Sequence, residues 1–512
     1  MNWELFVLIF YFAAMLAIGV VFFLRQKSQN DKDYFLGGKS MGPWVTAMSA
    51  QASDMSAWLL MGLPGSILAF GLGQAWIGIG LALGTALNWI LMAKRLRRFS
   101  EAAGDSITVP QYLTNRFAAK SRALQISCAV VFLLCFTVYV ASAFVAGTSV
   151  FTALFPQMKE WLAMIIFAFI LIVYTFLGGY KAVCWTDFVQ GILMLVAVLA
   201  VPIITFFVMD LDFGALGMTL LTPDGNGGVK SAVFSGLFSA SWKDIASGLA
   251  WGLGYFGMPH ILVRFMSIKK PSMVKKSATV AIVWVVLALV AVTFIAVFGR
   301  ALPLGRELVA AGSQKMIFVE LARAVFPPII VGFLLSAIIA ASMSTADSQL
   351  LVASSSFTSD IYKPVIRKDA SEKETLWVGR IVVLVISIIA FLIAFIGGKG
   401  ADAIMALVEC AWAGFGSAFG SVMILSVFWR RFTYRGALAG VIAGAVTDIV
   451  WLVLFSGVSG VFNPVVTALG IYELIPGFIV SMAACVIVTL TDKAPAKEVT
   501  DIFDAATAPI ED

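Results

Sequence analysis

The sequence predicts an all-α integral membrane protein, one bundle of thirteen transmembrane helices. Three observations point there. Of 512 residues, 61% are hydrophobic and 12% charged, against about 25% charged in an ordinary soluble chain. The apolar residues come in runs of about 20, the length that crosses a hydrocarbon core as a helix. Two of those runs, five spans apart, are interrupted by small and polar residues at corresponding places. The charge deficit excludes a soluble enzyme, and the runs exclude the several soluble domains that length alone suggests. The net charge of +6 does not signal nucleic acid, because most Lys and Arg sit in short loops and no basic patch is interleaved with stacking aromatics. All five cysteines (Cys128, Cys135, Cys184, Cys410, Cys485) lie inside apolar runs without CxxC spacing, so neither a disulfide framework nor a zinc site is expected. A single histidine, His260, excludes a multi-histidine metal site.

In chain order the predicted spans are Trp3 to Leu24, Pro43 to Leu68, Gly73 to Met92, Leu124 to Leu154, Trp161 to Leu177, Val183 to Val208, Ile245 to Phe265, Ala278 to Phe298, Phe326 to Phe357, Trp377 to Ile396, Ala403 to Phe428, Ala437 to Leu454 and Leu474 to Leu490. The first carries Glu4 in place of a basic leader and is too long for a signal-peptide core, so it is expected to remain. An odd number of spans puts the termini on opposite sides. Of the 35 Lys and Arg, 27 fall in the loops of one side, which places the N-terminus outside and the C-terminus in the cytoplasm. The resulting organisation is a first helix and cytoplasmic loop (1–41), a five-helix unit (42–209), an extracellular loop (210–240), a second five-helix unit (241–429), two further helices (430–491) and a cytoplasmic tail (492–512). The tail is acidic, expected to be mobile, and its sequence assigns it no function.

Backbone polar groups in hydrocarbon need partners, so an interrupted helix marks a cavity or a buried site. The second span holds the small polar stretch Met48-Ser-Ala-Gln-Ala-Ser-Asp-Met-Ser-Ala57, then Gly62 and Pro64-Gly65. The seventh holds Trp251-Gly-Leu-Gly-Tyr-Phe-Gly-Met-Pro-His260. Paired interruptions in two halves point to a transporter binding site; close helix packing through small residues is the other reading. In the ninth span Ala341, Ser344 and Thr345, at i, i+3 and i+4, present a carbonyl and two hydroxyls on one face. The Ala52 and Met55 carbonyls of the unwound second span complete the five oxygens a hard monovalent cation needs. Those hydroxyls can also simply bond their own helix.

Five acids lie in or near the apolar runs: Asp54, Asp187, Asp347, Glu409 and Asp448. A charge at mid-bilayer costs at least about 2.5 to 3.5 kcal/mol, which makes each a functional candidate. Asp54 sits in a break and leads. Asp187 divides between a cation exit path and helix capping, with loop backbone or Lys181 as partner. Structural roles lead for Asp347, Glu409 and Asp448, and His260 is expected to pack or hydrogen-bond.

The stretch Ala52-Ser-Asp-Met-Ser-Ala-Trp-Leu-Leu-Met-Gly-Leu-Pro-Gly65 resembles the sodium:solute symporter family. The likeness covers nearly the whole chain, through Asp33-Tyr-Phe-Leu-Gly-Gly38, Trp251 to His260, Met343-Ser-Thr345, Trp412-Ala-Gly-Phe-Gly416, Gly436-Ala-Leu-Ala-Gly440 and Tyr472-Glu-Leu-Ile-Pro-Gly-Phe478. The stretch from Ser426 to Gly444 fits one family signature in full. The signature around Gly178-Gly179 departs at Tyr180, and Ala57 stands where the family's proline carriers have glycine. The resemblance implies a LeuT-type 5+5 inverted-repeat core with one extra helix before it and two after. It implies a sodium site at Ala52, Met55, Ala341, Ser344 and Thr345, with Asp54 and Asp187 assisting ion binding and release. For substrate it implies Ser56, Tyr139, Trp251, Tyr255 and Pro259. The last three, spaced i, i+4 and i+8, would offer an aromatic wall to a pyrrolidine ring, or form a packing stripe.

The function this implies is sodium-coupled secondary symport that imports L-proline by alternating access across the cell membrane. Na+ is the coupling ion; no cofactor, enzymatic activity, nucleic acid or obligatory protein partner is expected, and the surroundings are a lipid bilayer. The alternatives are the same machine with another amino acid, pantothenate or a monocarboxylate, and an integral-membrane enzyme, which would need a nucleophile, base or metal site of its own.

Overall fold

The computed structural model describes residues 3–25, 31–177, 179–223, 228–396, 403–455 and 470–509. From the N-terminus the chain forms α1 (Trp3–Arg25), the short α2 (Asp31–Leu36) and an interrupted pair, α3 (Pro43–Asp54) and α4 (Leu63–Phe70). Next come α5 (Ala75–Leu87), α6 (Lys94–Ala102), the short α7 (Val109–Arg116), α8 (Ala123–Leu154), α9 (Glu160–Leu177) and α10 (Tyr180–Val208). A loop carrying an antiparallel hairpin, β1 (Leu220–Pro223) and β2 (Val229–Ala232), leads to a second interrupted pair, α11 (Trp242–Gly254) and α12 (Pro259–Ser267). Then follow α13 (Val274–Ala301), the short α14 (Pro303–Ala310) and α15 (Ile317–Val325), α16 (Pro328–Ser356), α17 (Glu372–Ile396), α18 (Ala403–Phe415), α19 (Ser421–Phe428), α20 (Tyr434–Phe455), α21 (Leu474–Thr491) and α22 (Lys497–Thr507).

Ten helices among the described residues are long and apolar enough to cross a membrane, and two shorter apolar stretches lie at 58–70 and 160–175. The pieces α3, α11 and α12 belong to neither class: α3 is rich in Ser, Gln and Asp, and the glycines and Pro259 divide α11 from α12. Helix α16 sits at the centre, buried without interruption from Leu334 to Ser356 and packed on α1, α3, α8 and α10. A helix apolar or small all round has nowhere else to go. Helix α11 meets α5 backbone to backbone: a Cβ on Gly84 would lie 2.4 Å from the Gly252 Cα, and one on Gly80 would lie 2.2 Å from the Gly248 oxygen. Only glycine permits that approach, the small-residue device of membrane helix pairs.

The structure alters several expectations. The all-α class gains a hairpin, pinned by the buried Arg300, whose guanidinium donates to Met218 O (2.6 Å), Ala232 O (3.2 Å) and Leu68 O (3.4 Å). The tail is not a loose strand of acids but contains α22. Its charges lie on one face, while Val499, Phe503 and Ala506, at i, i+4 and i+7, are buried. Phe503 meets the ring of Phe99 edge-on at 5.2 Å, Arg430 holds Asp504 through two bonds of 2.7 and 2.8 Å, and the buried Arg116 donates to Ser426 O and Val499 O, both at 3.0 Å. Arg116 and Arg264, both counted among the 27 basic residues of the cytoplasmic side, are interior residues. Gly178, and the loop lysines Lys27 and Lys399, lie outside the described residues.

Candidate functional site

Helix α3 ends at Asp54; Met55, Ser56 and Ala57 leave it before a π-helical turn, Trp58–Gly62, carries the chain into α4. The interruption is shorter than the polar run from Met48 suggests, because helical bonding persists through Asp54. The Ser56 amide, which would close a turn onto Ala52, bonds Asp54 O instead (3.0 Å), and the Leu59 amide, which would close onto Met55, bonds Ser56 O (3.0 Å). Two carbonyls are thereby released from the helix. Ser344 Oγ donates to Ala52 O at 2.7 Å and stands 3.3 Å from Ala341 O, and Thr345 Oγ1 donates to Ala52 O at 3.4 Å. Ala52, Ala341, Ser344 and Thr345 are therefore brought together across α3 and α16, all buried. Met55 stands at the break, and its carbonyl takes no bond from either hydroxyl.

Asp54 is fully buried. Its Oδ2 accepts from Tyr255 Oη at 2.5 Å, its backbone oxygen accepts from Tyr139 Oη at 3.5 Å, and Oδ1 has no hydrogen-bond partner. Ser56 lies in the break, its Oγ accepting from Trp58 N at 3.4 Å. Tyr255 lies edge-on to Trp412 (5.1 Å, 85°), and Trp251 stacks on Trp412 (6.0 Å, 30°) and Tyr472 (5.3 Å, 23°). Carbonyls around the second break are held by side chains: Trp412 Nε1 donates to Trp251 O (2.8 Å) and Asn88 Nδ2 to Tyr255 O (3.0 Å). The expected i, i+4, i+8 face is not continuous. Helix α11 stops at Gly254 and α12 restarts with Pro259 at its first turn, where a ring with fixed φ and no N–H is at home. Trp251 and Tyr255 still form one aromatic wall; Pro259 belongs to the next helix. Trp412 and Tyr472 were visible only as members of quoted motifs, and Asn88 carried no signal at all.

Asp187 of α10 takes neither Lys181 nor loop backbone as partner. Its Oδ2 accepts from Arg264 Nη2 (3.1 Å), Ser49 Oγ (2.7 Å) and Ser348 Oγ (3.3 Å), while Arg264 also donates to Ser49 Oγ (3.1 Å), His260 O (2.7 Å) and Ser348. Four helices, α3, α10, α12 and α16, meet in this buried network. Asp347 is buried, with neither carboxylate oxygen hydrogen-bonded among the described residues. Asp448 accepts from Ser417 Oγ at 3.4 Å. His260 packs near Phe136 and Tyr139, and neither ring nitrogen has a hydrogen-bond partner.

Two broken helices that cross a membrane bundle, release backbone oxygens at its centre and abut an aromatic wall define a secondary transporter. The chain belongs to the sodium:solute symporter family, whose model matches residues 34–444, and is a transporter rather than an enzyme. It is 43% identical over 490 residues to the high-affinity proline transporter PutP of Bacillus subtilis, covering 96% of this chain and 98% of that protein. It is 42% identical over 501 residues to the sodium/proline symporter of Escherichia coli, covering 97% and 95%. Its fold is similar to that of a Na+-coupled sialic acid symporter solved in a substrate-bound, outward-open state (TM-score 0.72, 20% identity, 97% and 99% covered).

Proposed function

We propose that this chain imports L-proline together with Na+ across the cell membrane by alternating access. The observation that carries the reading is its identity of about two residues in five with a high-affinity proline transporter and a sodium/proline symporter, over nearly the whole of each chain. The interrupted pairs counted as one span each, together with α9 and the ten long helices, make thirteen spans. Spans two to six and seven to eleven would be the inverted repeats, bounded as 42–209 and 241–429, with one helix before and two after. An outside N-terminus and cytoplasmic C-terminus are supported by the basic bias of the loops.

In this reading sodium takes the oxygens of Ala52, Met55, Ala341, Ser344 and Thr345. The hydroxyl hydrogens turn away from the ion, and the bonds to Ala52 O give place to ion contacts. Asp54 lends its charge and, through Tyr255 and Tyr139, ties the ion to the substrate residues. Proline lays its ring against Trp251 and Tyr255, near Pro259, with Ser56 and Tyr139 at its polar end. Opening to the cytoplasm requires the Asp187–Arg264 network to part, which gives Asp187 its role in release. Lipid surrounds the bundle, and no protein partner is required. Radiolabelled proline uptake into proteoliposomes tests the whole reading. Uptake should depend on an inward sodium gradient and be competed by proline but not by alanine, pantothenate or acetate; competition by one of these instead would transfer the machine to another solute.

A further inference from the structure

At the end of the bundle that carries most of the basic loops, the two broken helices are tied into one corner. Met41 N donates to Ser267 O (3.3 Å) and Lys269 N to Met41 O (3.0 Å), so the chain entering α3 is bonded to the chain leaving α12. Arg97 of α6 donates to Ile268 O at 2.7 Å. Four lysines stand on this corner, Lys269, Lys270, Lys275 and Lys276, all exposed. The sequence between Asp244 and Glu307 contains no acid to offset them, and Glu101, one turn on from Arg97, is already paired with it at 2.6 Å. Trp44, 52% exposed at the start of α3, has the Lys276 ammonium 5.5 Å from its ring centre. An aromatic ring half out of the bundle beside lysines is the pattern of a membrane interface. Farther along the same face of α13 the helix turns an apolar stripe outward: Val283, Val286, Leu287 and Val290, at i+7, i+10, i+11 and i+14 from Lys276, are each 42% to 52% exposed. From Lys276 to Val290 the helix rises about 21 Å, against a depth of about 15 Å for one hydrocarbon leaflet.

Ammonium groups gathered at the foot of an apolar stripe match an amphiphile whose head is anionic and whose body is hydrocarbon. A soluble anion would leave the stripe unused, and a zwitterionic phospholipid would bring a second cation to a surface that is already cationic. We infer that this corner binds an anionic phospholipid of the cytoplasmic leaflet, with its phosphodiester among Lys269, Lys270, Lys275 and Lys276 and its acyl chains along α13 beyond Lys276. The corner joins α3 to α12, so the lipid is a partner of both broken helices at once. Only the choice of leaflet rests on the orientation proposed above. The four lysines thereby gain a ligand beyond their part in setting topology.

The test is native mass spectrometry of the full chain titrated with phosphatidylglycerol or with phosphatidylcholine of the same acyl chains. Wild type should bind phosphatidylglycerol more tightly by roughly tenfold or more, since each lysine near an anionic surface is worth about fivefold. Lys269→Gln, Lys270→Gln, Lys275→Gln and Lys276→Gln combined should abolish that preference. The same four positions changed to Arg should keep it, which separates loss of charge from a folding defect. Lys363→Gln, Arg367→Gln and Lys368→Gln combined remove three basic residues from another loop, where Arg367 is paired with Glu374 at 2.9 Å, and should change nothing. Equal affinity of wild type for the two lipids, or the same loss in that control variant, overturns the site. Displacement of phosphatidylglycerol by glycerol phosphate at the lipid's own concentration also overturns it, as the mark of a soluble-anion site. Orientation is read separately: a membrane-impermeant amine reagent should modify Lys275 and Lys276 in inside-out vesicles and not in intact cells. Modification in intact cells overturns the orientation and with it the leaflet, whereas loss of lipid preference overturns the site and leaves orientation and symport standing.

Discussion

Ser344 and Thr345 show how much a hydroxyl can do when a helix has let go of a carbonyl. The Ser56 amide that would cover Ala52 O is turned onto Asp54 O, and two side chains from another helix arrive in its stead. Each such contact is worth about 1 kcal/mol, so Ser344→Ala combined with Thr345→Ala should raise the sodium concentration for half-maximal uptake roughly tenfold or more. Maximal uptake at saturating sodium should move far less, and a dose curve of uptake against sodium reads both. This set was legible in the sequence because i, i+3, i+4 spacing is a local fact that survives folding. The partner of Asp187 was not. Arg264 lies 77 residues away, and among Lys269, Lys270, Lys275 and Lys276 it reads as one more loop cation. No local pattern says that a guanidinium will be 1% exposed against a carboxylate that is 0% exposed.

At the scale of elements, apolar run length fixed where helices cross, and glycine and proline fixed where two of them stop. The restart of the second break at Pro259 defeated the reading of a single aromatic face, because periodicity presumes a helix that does not end. Helix α22 defeated the reading of the tail for a different reason. Its apolar residues are few, and only the site they dock against, formed by Phe99 and Arg116, makes them count. Phe503→Asp should detach it: burying a carboxylate against those rings is unfavourable, and loss of a buried Phe costs about 3 to 5 kcal/mol. Limited proteolysis of inside-out vesicles should then cut near Lys493 and Lys497, sites that resist in the wild type. Retained protection would mean that the polar bonds from Arg98, Arg116 and Arg430 suffice to hold the helix.

For the molecule as a whole, symport of zwitterionic proline with one Na+ would move one positive charge inward per cycle. A potential of 100 mV then contributes about 2.3 kcal/mol, and a tenfold sodium gradient about 1.4 kcal/mol. Together they support accumulation of order several hundredfold, against about tenfold from sodium alone. An inside-negative potassium diffusion potential set with valinomycin should raise the steady-state proline ratio in proteoliposomes; an unchanged ratio would require a compensating charge. The Asp187–Arg264 network has a practical consequence for watching that cycle. Cys184 lies among Ser49, Tyr180, Asp187 and Arg264, wholly shielded in this conformation, so in the proposed alternating-access cycle a thiol reagent would reach it only when the Asp187–Arg264 network parts. Asp187→Asn would leave Arg264 without its counter-ion, an imbalance of about 3 to 5 kcal/mol, and should speed maleimide labelling of Cys184 in a background whose other four cysteines are serine. The chain thus carries a native gauge of its own opening, read by mass spectrometry with no probe grafted on.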